Sequence, residues 1–229
     1  QTPTTDNPLL LAYETPFQVP PFDKIKIEHF RPAFEAALKE HNLEIDSIVT
    51  DDADASFDNT IVALENAGGL LTKVSTVFFN MNSANTNDSL QAIAKELAPI
   101  LSAHRDEISL NKTLFQRVKS VYDSRNSLSL AAEDAKLLEE TYKGFVRAGA
   151  NLSDAHKTQL KDINAKMSVL TTQFGQNLLG ESNAYELVVD KKEDLSGLPE
   201  SLIAAAAETA KSKGKEGKWV FTLQNPSVM

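Results

Sequence analysis

Four histidines, His29, His41, His104 and His156, are the first residues to test for chemistry. A zinc site on one helix needs two ligands a turn apart, as in H-E-x-x-H, so that both nitrogens face the same ion. Four residues after each histidine stand Ala33, Ile45, Ile108 and Leu160, so no pair forms. Glu44 follows His41 by one helical turn, but one His and one Glu do not close a site. The Glu-x-x-His pairs that build di-iron bundles are missing as well. His41, His104 and His156 fall on or beside apolar stripes, which predicts hydrogen-bonded histidines at helix interfaces. Bottom-up, the chain offers no catalytic residue and no metal ligand.

Other chemistry-bearing patterns also read as structure. Asp52-x-Asp54-x-Ser56-x-Asp58 has the spacing that opens a calcium loop. Phe57 stands where that loop needs glycine, and Ala63 where it needs its bidentate glutamate, so the segment reads as an exposed acidic connection. Lys211, Lys213, Lys215 and Lys218 surround Gly214 and Gly217 without interleaved aromatics, which predicts a solvated, mobile link rather than an anion site. Phosphate-cradling glycine motifs and the G-x-S-x-G elbow do not occur. What remains is the Asn-rich stretch with Asn80, Asn82, Asn85 and Asn87, and Arg147 in YKGFVRAGA. Asn side chains can hydrogen-bond an extended peptide backbone, and Arg147 can meet a carboxylate. Helix capping and core packing are the competing reading of the same residues.

The elements that would position these residues are helical. Ile27, Phe30, Phe34, Leu38, His41, Ile45 and Ile48 recur at steps of three and four, on one helix face. Thr50–Ser56 is a polar loop, after which Asp58 and Asn59 are expected to cap a helix striped by Ile61, Leu64, Leu71, Val74 and Phe78. Gly68-Gly69 interrupts that stripe and predicts a kink or a close helix crossing. Asn80–Asp88 reads as a turn that caps a helix carrying Leu90, Ile93, Leu97, Leu101, His104 and Ile108. A shorter helix over Asn111–Val121 follows, then one marked by Leu138, Tyr142, Phe145 and Gly149. Ser153 caps a long helix with Leu160, Ile163, Met167, Leu170 and Phe174 in a heptad-like seam.

The last residues change character. Residues 185–189 and 219–223 read as strands, with Pro199 in the first turn of an Ala-rich helix, Glu200–Lys211. Two short strands are marginal alone, which suggests polypeptide that continues the fold elsewhere. The expected fold class is therefore all-α: a multi-helix array of long antiparallel helices with a small β element near the C-terminus. The expected organisation is an extended Pro-rich arm over residues 1–22, a helical lobe over 23–183, and the start of a β/α segment over 184–229.

Composition narrows the function classes. The 229 residues carry 23 Lys+Arg and 32 Asp+Glu, a net charge of −9, so the long-range field repels nucleic acid and anionic membrane. Cysteine is absent, which excludes disulfides, thiolate metal sites and a Cys nucleophile. No apolar run is long enough to span a membrane. The chain starts at Gln1, as it would after removal of an export signal or after trimming.

Six stretches in order carry a family resemblance: FDKIKIEHFRPAFEAAL (22–38), FDNTIVALENAGGLLTKVSTVFFN (57–80), ANTND (84–88), LNKTLFQRVKSVYDSR (110–125), LLEETYKGFVRAGANLS (137–153) and LTTQFGQNLL (170–179). Together they resemble the amino-terminal region of the bacterial peptidyl-dipeptidases (dipeptidyl carboxypeptidases) of the thimet-oligopeptidase-like zinc metallopeptidase family. Oligopeptidase A shares the general layout. The resemblance implies a large helical enzyme divided by a deep channel. One zinc ion is held by H-E-x-x-H and a later Glu in the carboxy-terminal part, and dipeptides are released from the carboxy end of oligopeptides. This chain then corresponds to the channel wall, inactive alone, without cofactor of its own. Its implied partners are the carboxy-terminal catalytic domain and short unfolded peptides, with no nucleic acid and no membrane. Asn80, Asn82, Asn85, Asn87 and Arg147 are the substrate-channel candidates. The implied location is cytoplasmic, or periplasmic if Gln1 follows a removed signal peptide. A fragment of an oligopeptidase A-type endopeptidase and a stand-alone helical interaction module are the alternatives.

Overall fold

A computed structural model describes residues 6–223. The described residues are mostly helical, with one two-stranded antiparallel sheet near the C-terminal end, as the hydrophobic periodicity predicts. The chain divides into two compact units between Leu170 and Thr171.

In the first unit the arm is tied down by its own side chains. Leu9 is fully buried in the core, and Asn7 Nδ2 donates to the His29 carbonyl at 2.8 Å. Residues 1–5 of the expected arm lie outside the described residues. A short turn over Ile27–His29 leads into helix α1 (Phe30–Val49). The loop that follows ends at Ser56, and the cap here differs from the expectation. Ser56 Oγ accepts from the Asn59 backbone N–H at 3.1 Å, and Asn59 Oδ1 accepts from the Ser56 N–H at 2.8 Å. Asn59 is thus the reciprocal partner in a capping box, and Asp58 lies in the first turn, where its charge suits the helix N-terminus.

That wide first turn, Phe57–Val62, runs into the short α2 (Ala63–Asn66), and α3 (Gly69–Ala84) follows at once. The break between α2 and α3 is where the two glycines predicted one. Gly68 sits at φ +77°, in the left-handed region that penalises a Cβ. After α3 come α4 (Asp88–Ser109), α5 (Lys112–Asp123) and α6 (Ala132–Arg147). Asn87 and Asn111 cap α4 and α5 by accepting from the Leu90 and Leu114 N–H groups, each at 3.0 Å. The long α7 (Asp154–Ala184) begins in this unit and crosses the division.

Two apolar clusters hold the unit. One joins the arm, α1, α3 and α4 around Phe78, whose ring meets Phe30 and Phe34 edge-on at centroid distances of 5.0 and 5.5 Å. The other joins the C-terminal part of α1, the 57–67 segment, α5 and α6. There Tyr142 stacks on Tyr122 at 3.9 Å and on Phe115 at 5.9 Å. The seam expected on α7 is present in register but not buried. Ile163, Met167, Leu170 and Phe174 are 56–69% exposed, and α7 has no buried residue.

In the second unit, β1 (Leu187–Val189) pairs with β2 (Trp219–Phe221) in the register Leu187↔Phe221, Val188↔Val220 and Val189↔Trp219. Each strand is two residues shorter than expected, β1 at its start and β2 at its end. Helix α8 (Glu200–Ser212) packs on β2, burying Ala206, Ala210 and Val220. Pro199 stands at the N-cap position of α8, one residue before its first turn. The lysine-rich link is anchored rather than free. Glu186 receives both Lys213, at 2.7 Å, and Lys215, and Lys218 meets Asp190 at 2.7 Å.

Candidate functional site

A concave feature of the first unit that gathers chemistry-bearing groups is a cleft of about 670 Å³ walled by α1, α2, α3, α4 and α6. Its lining is largely apolar, with Leu71, Phe79 and Leu101 among the contributors, and it carries His41, His104 and Arg105. The placement follows from the helical stripes. His41 continues the buried face of α1 and His104 that of α4, so helices that pack together bring the rings face to edge.

His104 is 7% exposed, and its Nε2 lies 2.9 Å from His41 Nδ1. A neutral imidazole donates through one nitrogen and accepts through the other, so the two rings satisfy each other. Burial pushes the His41 imidazole below its ordinary value, with Glu44 opposing. His104 is pushed down by burial and then by the His41 charge, with Glu107 opposing. Behind the pair, a Cβ built on Gly68 would lie 2.8 Å from His41 Cε1, so only glycine lets the ring seat there. Glu44 Oε2 accepts from the Gly68 N–H at 2.7 Å and fixes the same break from α1. The expectation of hydrogen-bonded interface histidines thus holds for His41 and His104. It fails for His156, which is exposed beyond the start of α7.

This donor set does not fit a catalytic zinc. Two imidazoles that point at each other have spent one nitrogen each on their mutual hydrogen bond. Among the described residues, no group of three or more His, Cys, Asp or Glu is arranged to hold a metal ion.

The polar candidates read from the sequence take different positions. Asn80 and Asn82 lie inside α3 rather than in a turn, because α3 runs to Ala84. Asn80 Nδ2 donates back to the Thr76 carbonyl at 2.8 Å, and Asn82 Oδ1 accepts from Thr86 Oγ1 at 2.9 Å. Asn85 ends α3 and is exposed, and Asn87 caps α4. The turn itself is only Asn85–Asn87. Arg147 is the last residue of α6, 74% exposed, with Glu140 Oε2 on its own helix at 3.9 Å. The Asn residues are therefore gathered around one helix connection, and the ion pair of Arg147 stays on α6. The cleft was not legible from motifs, since His41 and His104 are 63 residues apart. The available signal was a histidine at a core-facing position on each of two helices, near a glycine pair.

Among the described residues, no helix is long and apolar enough to cross a membrane. No family model matches the chain. It is similar to dipeptidyl carboxypeptidase of Escherichia coli (strain K12), 41% identical over 97% of this chain and 33% of that protein. The Salmonella typhimurium dipeptidyl carboxypeptidase is 42% identical over 96% of the chain and 32% of its own length. Oligopeptidase A of Haemophilus influenzae is 28% identical over 92% of the chain and 31% of its own length. The chain spans about a third of the length of the curated relatives it matches. These similarities support an amino-terminal fragment of the dipeptidyl carboxypeptidase and oligopeptidase A family.

Proposed function

We propose that this chain is the helical channel-wall lobe of a zinc metallopeptidase that releases dipeptides from the carboxy end of oligopeptides. The observation that carries this reading is the 41% identity to a dipeptidyl carboxypeptidase across 97% of the chain. The identity to oligopeptidase A is lower, which favours dipeptide release over endopeptidase action. In this reading the zinc ion and its ligands belong to polypeptide outside this chain. The lobe contributes shape: it narrows the channel so that only short, unfolded peptides enter.

The exposed apolar seam of α7 supports the reading. A solvated face of Ile163, Met167, Leu170 and Phe174 is costly to leave bare, and a longer protein would cover it. A stand-alone interaction module would use the same seam for a separate partner, and the family similarity favours the first occupant. Asn80, Asn82 and Asn87 spend their side chains on hydrogen bonds in and around α3 and α4, so Asn85 and Arg147 are the members of the polar set best placed to meet a peptide.

The test is direct. Purified chain, supplied with zinc and an amino-blocked tetrapeptide, is expected to release no dipeptide by mass spectrometry. Dipeptide release by the chain alone overturns the reading.

A further inference from the structure

We propose that the His41–His104 pair is a proton-operated clasp: uptake of a second proton breaks the ring-to-ring hydrogen bond and loosens the cleft wall where α1, α4 and the Gly68 break meet. This goes beyond the peptidase reading and does not depend on it.

The chemistry follows from the donor count. In the neutral pair, one ring nitrogen donates and the other accepts across 2.9 Å. One added proton makes a single imidazolium, which still donates to its neutral neighbour, so the bond survives. A second proton leaves two N–H groups and two positive charges facing each other, with no acceptor between them. The pair therefore titrates as a unit, and its opening step belongs to the second proton.

The surroundings decide how easily that proton enters. On α1 the facing charge is Glu44, whose carboxylate is already engaged by the Gly68 N–H. On α4 it is Glu107, which favours protonation, and Arg105 also stands on the cleft lining. The 64–79 segment contributes Leu64, Ala67, Thr72 and Ser75, and α6 contributes Thr141, Gly144 and Phe145, none of them charged. Burial of both rings moves their titration below the ordinary 6.5, so the clasp stays closed at neutral pH and opens only below the range of an ordinary histidine.

Release has a mechanical consequence. His41 is held between His104 and Gly68, with no room for a Cβ at Gly68. A ring repelled by its partner must swing, because glycine packs against its other side. The α2–α3 break, hinged on the one positive-φ residue of that segment and tied to α1 by the Gly68–Glu44 hydrogen bond, is the part that must give.

The experiment is hydrogen exchange on the chain, corrected for intrinsic rates, from about pH 7.5 to about pH 4, with imidazole NMR titration alongside. Amides of residues 68–72 and 101–108 are expected to lose at least about tenfold protection over that range, in step with two coupled imidazole titrations lying below the ordinary 6.5. His104→Gln keeps hydrogen-bonding capacity without a charge, so its protection is expected to be independent of pH. His41→Gln gives the same readout if His104→Gln does not fold. Unchanged protection in the wild type, or the same loss in the folded Gln variant, overturns the proposal.

Discussion

Asn164 on α7 donates from Nδ2 to Asp106 Oδ1 at 2.8 Å, and Asp106 is only 5% exposed. This bond has a special position because α7 buries no residue. Its first half is held instead by polar anchors: Asn164, and Lys157, whose Nζ donates to the Leu110 carbonyl at 3.0 Å. Asn164→Leu removes the donor while leaving the carboxylate buried. The expected loss is about 1–3 kcal/mol, the cost of an unsatisfied buried acceptor. Urea unfolding measures it, and faster amide exchange over residues 154–170 should accompany it. A loss within about 0.5 kcal/mol would mean that water takes the place of the amide.

The two adjacent glycines should respond in opposite ways. Gly68→Ala puts a Cβ 2.8 Å from His41 at φ +77°, and is expected to cost at least about 1–2 kcal/mol from the backbone alone. Gly69→Ala meets nothing within 4 Å and lies at the start of α3, so it should be neutral or stabilising by up to about 1 kcal/mol. Thermal denaturation of both variants decides; equal effects would contradict the packing described around His41.

Glu186 is held down to about 2 by hydrogen bonds from Lys213 and Lys215. The folded value lies below the ordinary 4.5, so the pairing stabilises the second unit above that value. The contribution is lost as pH falls from 4.5 toward 2. Carboxyl NMR should find Glu186 still ionised at about pH 3.5, where an ordinary glutamate is mostly protonated. A titration near 4.5 would show that the lysines are solvated rather than clamped.

Arg147 and Asn87 separate peptide contact from structure. Arg147→Ala removes a largely exposed side chain, so stability should change by no more than about 0.5 kcal/mol. In a fusion of this chain to the remaining two thirds of a dipeptidyl carboxypeptidase, the same substitution is expected to raise KM with kcat unchanged. Asn87→Ala removes the cap of α4 and should cost about 1 kcal/mol in the chain itself. Unchanged KM with lowered stability for Arg147→Ala would assign that residue to structure.

The helices were legible because their apolar residues recur at the helical period, and the strands because β-branched and aromatic residues cluster near the end. Local chemistry was less legible. Asn80–Asp88 has the composition of a turn, yet α3 continues to Ala84 because Asn80 bonds the carbonyl of its own preceding turn. Ser56 caps the 57–66 segment in place of Asp58 because Asn59 reaches back to it, a reciprocity that single-residue preference does not register. The α7 seam has the spacing of a buried interface, but spacing says nothing of whether a partner lies within the same chain. The His41–His104 pair depends on how α1 meets α4, and no local pattern encodes that meeting.

The fusion protein gives the most direct measure of the account. With this chain in place of the corresponding amino-terminal third of the E. coli dipeptidyl carboxypeptidase, an amino-blocked tetrapeptide should yield a carboxy-terminal dipeptide, while the chain alone yields none. A folded fusion that releases nothing, or dipeptides released by the chain alone, would contradict it.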